Sequence, residues 1–521
     1  MRFAAHITAA GLMQTASLIV ELVRSRPRLV FWTLAIVQGA LWFLIPSLFY
    51  AAPPGDVPRV LAIGREFQLG TGFGPPLAYW MAEIAFRLAF NSVVGVYVLA
   101  QACIIVTYWG LFTLGRELVG PRHAALVVVL MVGIFSFTVA SPEFGPALFA
   151  TPIWTLILLH YWRAVGRGRR IYWYAIGLEF GLLLLTTYLG LPLLVLLLVF
   201  SIATARGRAA LEYLEPWAAG VVMVLVVFPH LIWFEEARDV LNLAALSGGE
   251  APDRISAFVR IGGALLLAQA GLLLLLMLAG MPARMRRAEA PRVDRPTMEP
   301  FAKLFVYYFA LAPAWAALLF LTVLGRGGLL VGIAPLVAFS GMAVVAAAGD
   351  SIRIYHQHSA ATLWVALLLL PPLGAIAALT VLPWIFPLDL RTALPARDMG
   401  QFFGENFLRR TGQPLTIVAG DPRLSELIAL SAPSRPSLML QATPERTRWV
   451  TPQTLAEKGA VVVWTATDAT GTAPPEIRAR FPEIVPELPH RFPRRVEGRL
   501  PPLRVGWAVI RPRAAATVAP E

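Results

Sequence analysis

The stretch that decides the fold runs from residue 171 to residue 204 and reads IYWYAIGLEFGLLLLTTYLGLPLLVLLLVFSIAT. It holds two apolar runs, 171–187 and 189–204, and a Leu-Gly-Leu-Pro turn from Leu189 to Pro192 separates them. Proline removes a backbone donor and breaks the helix at this point. Apolar runs of about 20 residues can cross a hydrocarbon core of about 30 Å, so the stretch predicts two consecutive membrane spans.

The composition extends this interpretation to most of the chain. Of its 521 residues 57% are apolar and only 14% are charged, and the mean hydropathy is +0.67. A soluble chain carries about 25% charged residues, so a soluble globule and a disordered chain are both excluded. The single cysteine, Cys103, lies in an apolar run; it excludes a disulfide framework and is interpreted as a packing residue. The sequence therefore predicts a polytopic α-helical membrane protein.

Nine further apolar runs bring the predicted number of spans to about eleven. These runs are 29–51, 92–114, 123–140, 146–164, 216–234, 256–280, 303–324, 328–348 and 361–386. A weaker apolar stretch at 5–23 lies within residues 1–28, which we interpret as an N-terminal interfacial amphipathic segment. A cleaved signal or an additional span are the alternatives left open there.

The net charge of +13 is explained by orientation in the membrane. Arginines concentrate in short loops at 24–28, 163–170, 206–208 and 284–295, and positive charge in short loops marks the cytoplasmic side. Nucleic acid is therefore not an expected partner. With 24–28 inside and an odd number of spans, the outward segments are 52–91, 141–145, 235–255, 325–327 and everything after residue 388.

The C-terminal segment 389–521 differs from the rest because its apolar density falls while its charges and prolines increase. Strands are predicted at 415–419, 460–464 and 505–510, and helices at 398–410 and 424–430. These elements predict a small soluble α/β domain on the outer face, after a transmembrane domain at 29–388. The segment contains no Gly-rich phosphate loop, metal-spaced His/Cys cluster or nucleophile motif, which favours a lid or docking domain without chemistry of its own.

Two carboxylates lie in the outward loops. Asp56 follows Pro53-Pro54-Gly55 at the start of the first outer loop, 52–91, and Glu143 stands between two prolines in the second. A carboxylate pair at one membrane face suits acid/base chemistry or cation binding. The alternatives are that Asp56 caps the helix beginning at Val57-Pro58 and that Glu143 is a solvated turn acid.

Other polar side chains are weaker candidates. His230 lies near the outward end of its span and is either a ligand-binding or a hydrogen-bonded packing residue. Arg326, in a tight outward loop, can hold a phosphate or extend to lipid headgroups. Glu179, in the middle of a span, is either functional or a partner for another buried group.

The motifs together resemble the GT-C glycosyltransferases of the protein mannosyltransferase and aminoarabinose transferase type. Asp56, the segment 57–69, and Pro75-Pro76-Leu77-Ala78-Tyr79-Trp80 are similar to the family's first outer loop with its Lys-Pro-Pro-Leu-x-Tyr-Trp segment. Glu143 matches a second loop acid, and Phe228-Pro229-His230-Leu231-Ile232-Trp233 resembles a Pro-His-Leu-x-Trp segment. The C-terminal stretches 414–421 and 459–464 resemble the periplasmic domain of these proteins, so the resemblance covers nearly the whole chain.

The resemblance implies an inverting transfer of a sugar from a polyprenyl-phosphate donor to lipid A, a glycolipid or another envelope acceptor at the periplasmic face of a bacterial inner membrane. Asp56 inherits the role of base or acceptor-orienting group, and Glu143 assists on the acceptor side. Further substrate-binding candidates are Arg59, Arg65, Tyr79, Trp80, His230, Trp233 and Arg326, the three arginines for the phosphate. The residues indicate no definite cofactor, and a divalent cation is left open because two carboxylates do not define a metal site.

Two departures from the family pattern concern cations. Gly74 stands where the family has the lysine before Pro-Pro, and Phe73 where an acid is sometimes found before it. Thr186-Thr187-Tyr188 stands in place of a Ser-Lys-Tyr segment. Three explanations of the missing lysines are left open: an arginine compensates for them, the sugar donor differs from the family's, or the activity is lost. The alternative functions are therefore a catalytically inactive scaffold of the same fold and a lipid transporter or flippase, although no inverted repeat supports the transporter.

Overall fold

The computed structural model of the protein describes residues 21–237, 254–280, 292–324, 332–353, 357–439, 447 and 449–513. Seventeen helices of the N-terminal part are labelled in chain order; those before residue 300 are α1 Pro27–Phe49, α2 Val57–Gly64, α3 Leu77–Leu88, α4 Val94–Leu118, α5 Pro121–Met131, α6 Pro146–Tyr161, α7 Tyr172–Leu184, α8 Gly190–Ala203, α9 Ala205–Leu211, α10 Glu215–Glu236, α11 Arg254–Ala268 and α12 Ala270–Gly280. After residue 300 follow α13 Pro300–Leu324, α14 Ala334–Val337, α15 Ser340–Ala347, α16 Gln357–Thr380 and α17 Leu382–Ile385. Two short strands form an antiparallel pair: β1 Arg292–Asp294, which precedes α13, and β2 Ser351–Arg353, which precedes α16.

Within the described residues, five helices are long and apolar enough to cross a membrane, or up to seven if each of two bent pairs is one span. The five are α1, α4, α10, α13 and α16, and the bent pairs are α8 with α9 and α11 with α12. Helix is present in every one of the eleven predicted spans, several of which hold shorter apolar helices. The helical membrane architecture is thus as predicted, while the count of eleven stays a prediction.

The predicted helix pair at 171–204 is confirmed as α7 and α8, but the break lies at residues 185–189, just before the predicted turn, and Pro192 lies in the first turn of α8, where proline is tolerated. Thr204 explains where α8 ends. Its side chain accepts a hydrogen bond from the amide of Gly207, which starts α9 at an angle of 105° to α8. The first helix of the pair, α7, packs closely along α10. A Cβ added at Gly177 would lie only 2.4 Å from the carbonyl oxygen of Ala219, so glycine permits this close approach.

The helices share one apolar core, and many of their other faces are apolar and exposed. Large side chains that are fully buried include Trp42, Trp154, Tyr108, Phe305 and Phe309. On α10, by contrast, Val221, Leu225 and Phe228 are exposed. Exposed apolar faces on long helices are typical of contact with lipid.

The C-terminal part forms a five-stranded sheet in the order β4-β3-β5-β7-β6. Its elements are α18 Ala396–Thr411, β3 Ile417–Gly420, α19 Pro422–Ser431, β4 Ser437–Met439, α20 Pro452–Lys458, β5 Ala460–Thr465, α21 Pro475–Arg480, β6 Glu487–Phe492 and β7 Leu503–Ile510. Strands β4, β3 and β5 are parallel, whereas β7 and β6 are antiparallel to their neighbours. Three strands and two helices were expected at nearly these positions; β4, β6, α20 and α21 were not.

Alternation along β5 explains the two faces of this sheet. Val461 and Val463 belong to the core shared with the helical part, whereas Val462 and Trp464 pack with Phe481 on the opposite face. Successive side chains of a strand point to opposite faces, so a strand buried on both faces is apolar throughout. The boundary near residue 389 stays a prediction of domain organisation.

The C-terminal sheet region contacts the first outer loop directly. The amides of Ala51 and Ala52 both donate to the carbonyl of Thr392, at 2.8 and 3.1 Å. Arg495 donates to the carbonyl of Phe49 at the end of α1, at 2.8 Å. The C-terminal region therefore lies against the end of α1 and the first residues of the loop that leads to α2.

Candidate functional site

Asp56 lies exposed at the start of α2, with a side chain that is 65% accessible. Asp56 occupies the N-cap position of α2, as the capping interpretation expects, but its carboxylate makes no capping hydrogen bond there. Instead Oδ1 lies 3.3 Å from Nη1 of Arg59, one helical turn along. The Asp56 carboxylate is thus free of the backbone and held beside a guanidinium.

Glu143 reaches the same place from the second outer loop. A Cβ added at Gly55 would lie 2.9 Å from the carboxyl carbon and from Oε2 of Glu143. Gly55 also has a φ of +53°, which L-residues with a side chain rarely adopt. The Pro-Pro-Gly-Asp turn therefore requires glycine twice, once for its backbone angle and once to admit Glu143 next to Asp56.

This juxtaposition is visible in the electrostatics. Glu143 is an exposed residue, but its carboxyl group rests against the Gly55 backbone; the partial loss of water, together with the charge of Asp56, raises its pKa above 4.5. Burial, and to a smaller extent the charge of Glu143, raises the pKa of the neighbouring Tyr50. A carboxylate with a raised pKa is a better proton acceptor near neutral pH.

Arg59 links the Asp56 carboxylate to the C-terminal region. Its Nε donates to Oε1 of Glu426 at 2.6 Å, and Glu426, on α19, is fully buried. Arg391 pairs with the other oxygen of Glu426. Burial lowers the pKa of Arg59, but the charges of Glu426 and Asp56 outweigh this effect, and the net change is upward. The two carboxylates use only part of its five N–H donors, so donors remain for a phosphate.

Arg65 lies apart from Asp56, in a second charged cluster. Burial lowers its pKa, and the charged groups that act on it are Glu66, Arg435, Glu83 and Arg87. In that cluster Arg435 donates to both oxygens of the fully buried Glu83, at 2.9 and 3.0 Å. Among the described residues, Nη1 of Arg65 has no hydrogen-bond partner.

The Pro-Pro-Leu-Ala-Tyr-Trp segment forms the start of α3, and its aromatic rings hold the preceding loop. Trp80 Nε1 donates to the carbonyl of Gln68 at 3.0 Å, and the buried Tyr79 donates to that of Phe73 at 3.4 Å. Between these points, Thr71 and Gly74 exchange backbone hydrogen bonds of 3.1 Å. The loop is thus closed on itself beside Arg59, which lies 5.8 Å from the centre of the Phe73 ring.

His230 and Trp233, from the end of α10, contact the same loop. His230 Nδ1 donates to the carbonyl of Leu69 at 2.8 Å, so Nε2 of the neutral ring accepts from the Tyr188 hydroxyl at 3.1 Å. Trp233 stacks on His230, with ring centres 5.5 Å apart. It also packs on Gly70, where an added Cβ would lie 2.2 Å from the indole. The contacts of both residues in this structure are internal, and their role in substrate binding stays a prediction.

The remaining residues singled out in the sequence do not lie in the described loop around Asp56 and Glu143. Arg326 and the tight loop 325–327 lie outside the described residues, as do residues 1–20 and most of 235–255. Glu179 accepts a hydrogen bond from His160 Nδ1 at 2.7 Å, and Cys103 is buried in the core. The described ranges hold no group of three or more His, Cys, Asp or Glu side chains that could bind a metal ion.

Two buried glutamates, Glu83 and Glu426, were missed in the sequence. A signal for Glu426 exists, because it interrupts the apolar run Leu424-Ser425-Glu426-Leu427-Ile428 on a helix that must be buried. A charge in such a run requires a partner. The partner itself, more than 360 residues away in Arg59, has no local signature.

Comparison with known proteins agrees with the family resemblance. Residues 74–233 match the family model of dolichyl-phosphate-mannose-protein mannosyltransferases. The match begins just after Phe73 and ends at Trp233, so it contains the Pro-Pro segment, Glu143 and the His230 segment. The predicted relation to this glycosyltransferase family is therefore confirmed over that region. No curated protein sequence matches the chain.

Solved structures with distant similarity include ArnT and an archaeal oligosaccharyltransferase. ArnT from Cupriavidus metallidurans, bound to undecaprenyl phosphate, is 15% identical, covers 95% of this chain and 99% of its own, and gives a TM-score of 0.42. The apo form of the same protein gives 14% identity, 92% and 97% coverage, and a TM-score of 0.48. The oligosaccharyltransferase AglB from Archaeoglobus fulgidus, in complex with an inhibitory peptide and a dolichol-phosphate, is 12% identical. It covers 85% of this chain and 70% of its own, and gives a TM-score of 0.45.

Proposed function

We propose that the protein is an integral-membrane glycosyltransferase that moves a sugar from a polyprenyl-phosphate donor to a lipid or another cell-envelope acceptor. The observation that carries the proposal is that Glu143 lies against Gly55, next to Asp56, while Asp56 lies beside Arg59, in a loop system that the mannosyltransferase family model partly covers. Lipid A and glycolipids are the acceptors proposed. The site is proposed to face the periplasm from a bacterial inner membrane, with the C-terminal region on the same side.

The proposed reaction inverts the anomeric carbon. The acceptor hydroxyl oxygen attacks this carbon while the bond from the carbon to the phosphate oxygen breaks, and the electron pair leaves with the polyprenyl phosphate. The hydroxyl proton passes to a carboxylate, for which Asp56 is the first candidate, with Glu143 on the acceptor side. Arg59 neutralises the leaving phosphate through its remaining N–H donors.

The other predicted binding residues have proposed roles around this centre. Arg65 and Arg326 are further candidates for the phosphate. Tyr79, Trp80, His230 and Trp233 are proposed to act by shaping the loop against which the substrates bind. Their observed hydrogen bonds and ring contacts to residues 68–73 are consistent with such a role.

An inactive homologue of the same fold is the second candidate, and one observation favours it. At position 74, where the family has a lysine, the chain has a glycine with a φ of +133°. An added Cβ there would have no atom within 4 Å, so space exists but the cation does not. If no arginine replaces this cation, the leaving phosphate loses one positive partner.

The test compares envelope lipids of a strain that lacks the protein with those of strains carrying the wild type, Asp56→Asn or the control Asp398→Asn. Asp398 is an exposed carboxylate on α18, far along the chain from the loop pair. Lipid mass spectrometry should show one sugar missing in the deletion strain and in the Asp56→Asn strain, and present in the other two. An unchanged lipid profile in the deletion strain would favour the inactive homologue, and full function of a folded Asp56→Asn protein would exclude the catalytic role.

A further inference from the structure

A cleft at the opposite end of the helices carries positive charge that the proposed reaction does not use. It has a volume of about 750 Å³ and is lined by Arg26, Arg28, Arg116, Arg163 and one acid, Glu117, among others. Among the described residues that line the cleft, four guanidinium groups stand against one carboxylate, which leaves three positive charges unmatched. The cleft lies at the start of α1, at the end of α4 and just after the end of α6, whereas Asp56 and Glu143 lie at the other ends of α1 and α6.

The charges in the cleft are available to a ligand. Glu117 pairs with Arg163, whose Nε lies 2.9 Å from its carboxylate. Within the part of the chain that the structure describes, Arg26, Arg28 and Arg116 form no ion pair with a carboxylate, and all three are exposed. Arg116 only approaches the ring of Phe112, at 6.0 Å, on its own helix.

Two helix N-termini add to this positive field. Helix α1 begins at Pro27 and helix α5 begins at Pro121, and both prolines line the cleft. Neither helix has a side-chain cap or an acid in its first turn. The start of a helix carries about half a positive charge and attracts anions. Pro27 has no N–H, and the amides of Leu29 and Val30 already donate to the carbonyl of Arg26, so α1 contributes through its field and not through these amides.

The surroundings of the cleft are those of a lipid headgroup. Leu29, which lines the cleft, is 48% exposed, and Trp32, one turn further along α1, is also 48% exposed. A tryptophan near the end of a spanning helix is typical of headgroup depth, and an exposed leucine beside it can contact an acyl chain. Because α1 has 23 residues, the cleft is about 34 Å away from the Asp56 end.

We propose that this cleft binds the phosphate headgroup of an anionic phospholipid, with Arg26, Arg28 and Arg116 contacting the phosphate and Leu29 contacting the adjacent chain. Basic pockets between membrane helices are suited to such headgroups. The site differs from general positive charge at one membrane face because Arg26, Arg28 and Arg116 line a single concave cleft at the starts of α1 and α5. It does not depend on the proposed transferase activity.

The binding test uses the purified full chain in detergent and the short-chain lipid dioctanoyl-phosphatidylglycerol, with dioctanoyl-phosphatidylcholine and inorganic phosphate as separate arms. Affinity is obtained from the ligand-dependent rise of the melting temperature, since a ligand that binds the folded state stabilises it by mass action. We expect phosphatidylglycerol to bind at least about ten-fold more tightly than phosphatidylcholine. Equal affinity for the two lipids would overturn the proposal. Inorganic phosphate that binds as tightly as phosphatidylglycerol would also overturn it, because the cleft would then recognise free phosphate and not a lipid.

A matched pair of variants separates the cleft from the charge of the whole face. Arg26→Gln with Arg116→Gln removes two cleft charges, and Arg169→Gln with Arg208→Gln removes two exposed arginines at the same end of the helices but outside the cleft. The first variant should weaken phosphatidylglycerol binding about ten-fold or more, and the second about two-fold or less. Equal losses in both would overturn the proposal. If the first variant does not fold, the comparison of lipids on the wild type still decides the question.

Discussion

Glu426→Gln is the substitution that the structure predicts to be most damaging outside the reacting groups. The Glu426 side chain is fully buried and its two oxygens pair with Arg59 and Arg391, so it joins α19 to α2. Glutamine keeps the shape but loses the charge, so Arg391 is left without a carboxylate and Arg59 keeps only the exposed Asp56. The consequence should be a loosened contact between the C-terminal region and the first outer loop, and through Arg59 a displaced Asp56.

The size of the effect follows from the burial. Removing one partner of a buried ion pair costs about 3–5 kcal/mol, because the remaining charge is left desolvated. The free energy of opening the α2–α19 contact should fall by this amount, which corresponds to a roughly hundred-fold to several-thousand-fold larger open population. An exposed carboxylate on α18, Glu405, provides the control, since Glu405→Gln should change the opening free energy by less than about 0.5 kcal/mol.

Hydrogen exchange measured by mass spectrometry on the protein in lipid nanodiscs gives this opening free energy for peptides from α2 and α19. A loss below about 1 kcal/mol in Glu426→Gln would show that the buried pair does not hold the contact. A further variant with methionine at positions 59, 391 and 426 should recover most of the stability, because buried ion pairs can be replaced by apolar groups of similar volume. It should not recover transfer, since Arg59 is then absent.

Three further predictions concern the same loop system. Gly55→Ala should lower transfer at least about ten-fold with little loss of folded protein, because the added Cβ displaces Glu143 and the positive φ is strained; normal kinetics would contradict this. Burial and the Asp56 charge raise the pKa of Glu143, and its basic form is lost as the pH falls through that pKa. The acidic limb of the pH–rate profile should therefore be centred above pH 4.5, and a limb at or below that value would contradict this prediction. Arg435→Gln leaves the buried Glu83 without its bidentate partner and should lower the melting temperature by several degrees, whereas the exposed Arg409→Gln should not; equal shifts would show that the pair is unimportant.

The elements that follow from periodicity and apolar length could be predicted from the sequence. The pair at 171–204, the strand at 460–464 and the helix at 398–410 were expected at nearly the observed positions. Strand β6 was missed because ELPHRF carries a proline and two charges at the edge of the sheet, where a strand needs no apolar pattern. Long predicted spans such as 123–140 instead contain a helix that ends at Met131 and a short 3-10 turn at Phe135–Phe137.

The candidate site was only partly legible. Asp56 and Glu143 were identified because each interrupts an apolar pattern next to proline, and the structure brings them together through Gly55. The partners of Arg59 were not legible, since tertiary ion pairs between residues hundreds of positions apart leave no mark on local sequence. For the same reason the sequence did not show that Arg65, which stays a phosphate candidate, lies in the charged cluster that surrounds Glu83.

The central claim is that the protein consumes a polyprenyl-phosphate sugar, and the release of polyprenyl phosphate tests it most directly. Purified wild type and Asp56→Asn would be incubated with a total envelope lipid extract, and free polyprenyl phosphate would be quantified by mass spectrometry together with glycosylated lipids. The account predicts that free polyprenyl phosphate and one glycosylated product rise in equal amounts with the wild type and do not rise with Asp56→Asn. No release by the folded wild type, or equal release by both proteins, would contradict it.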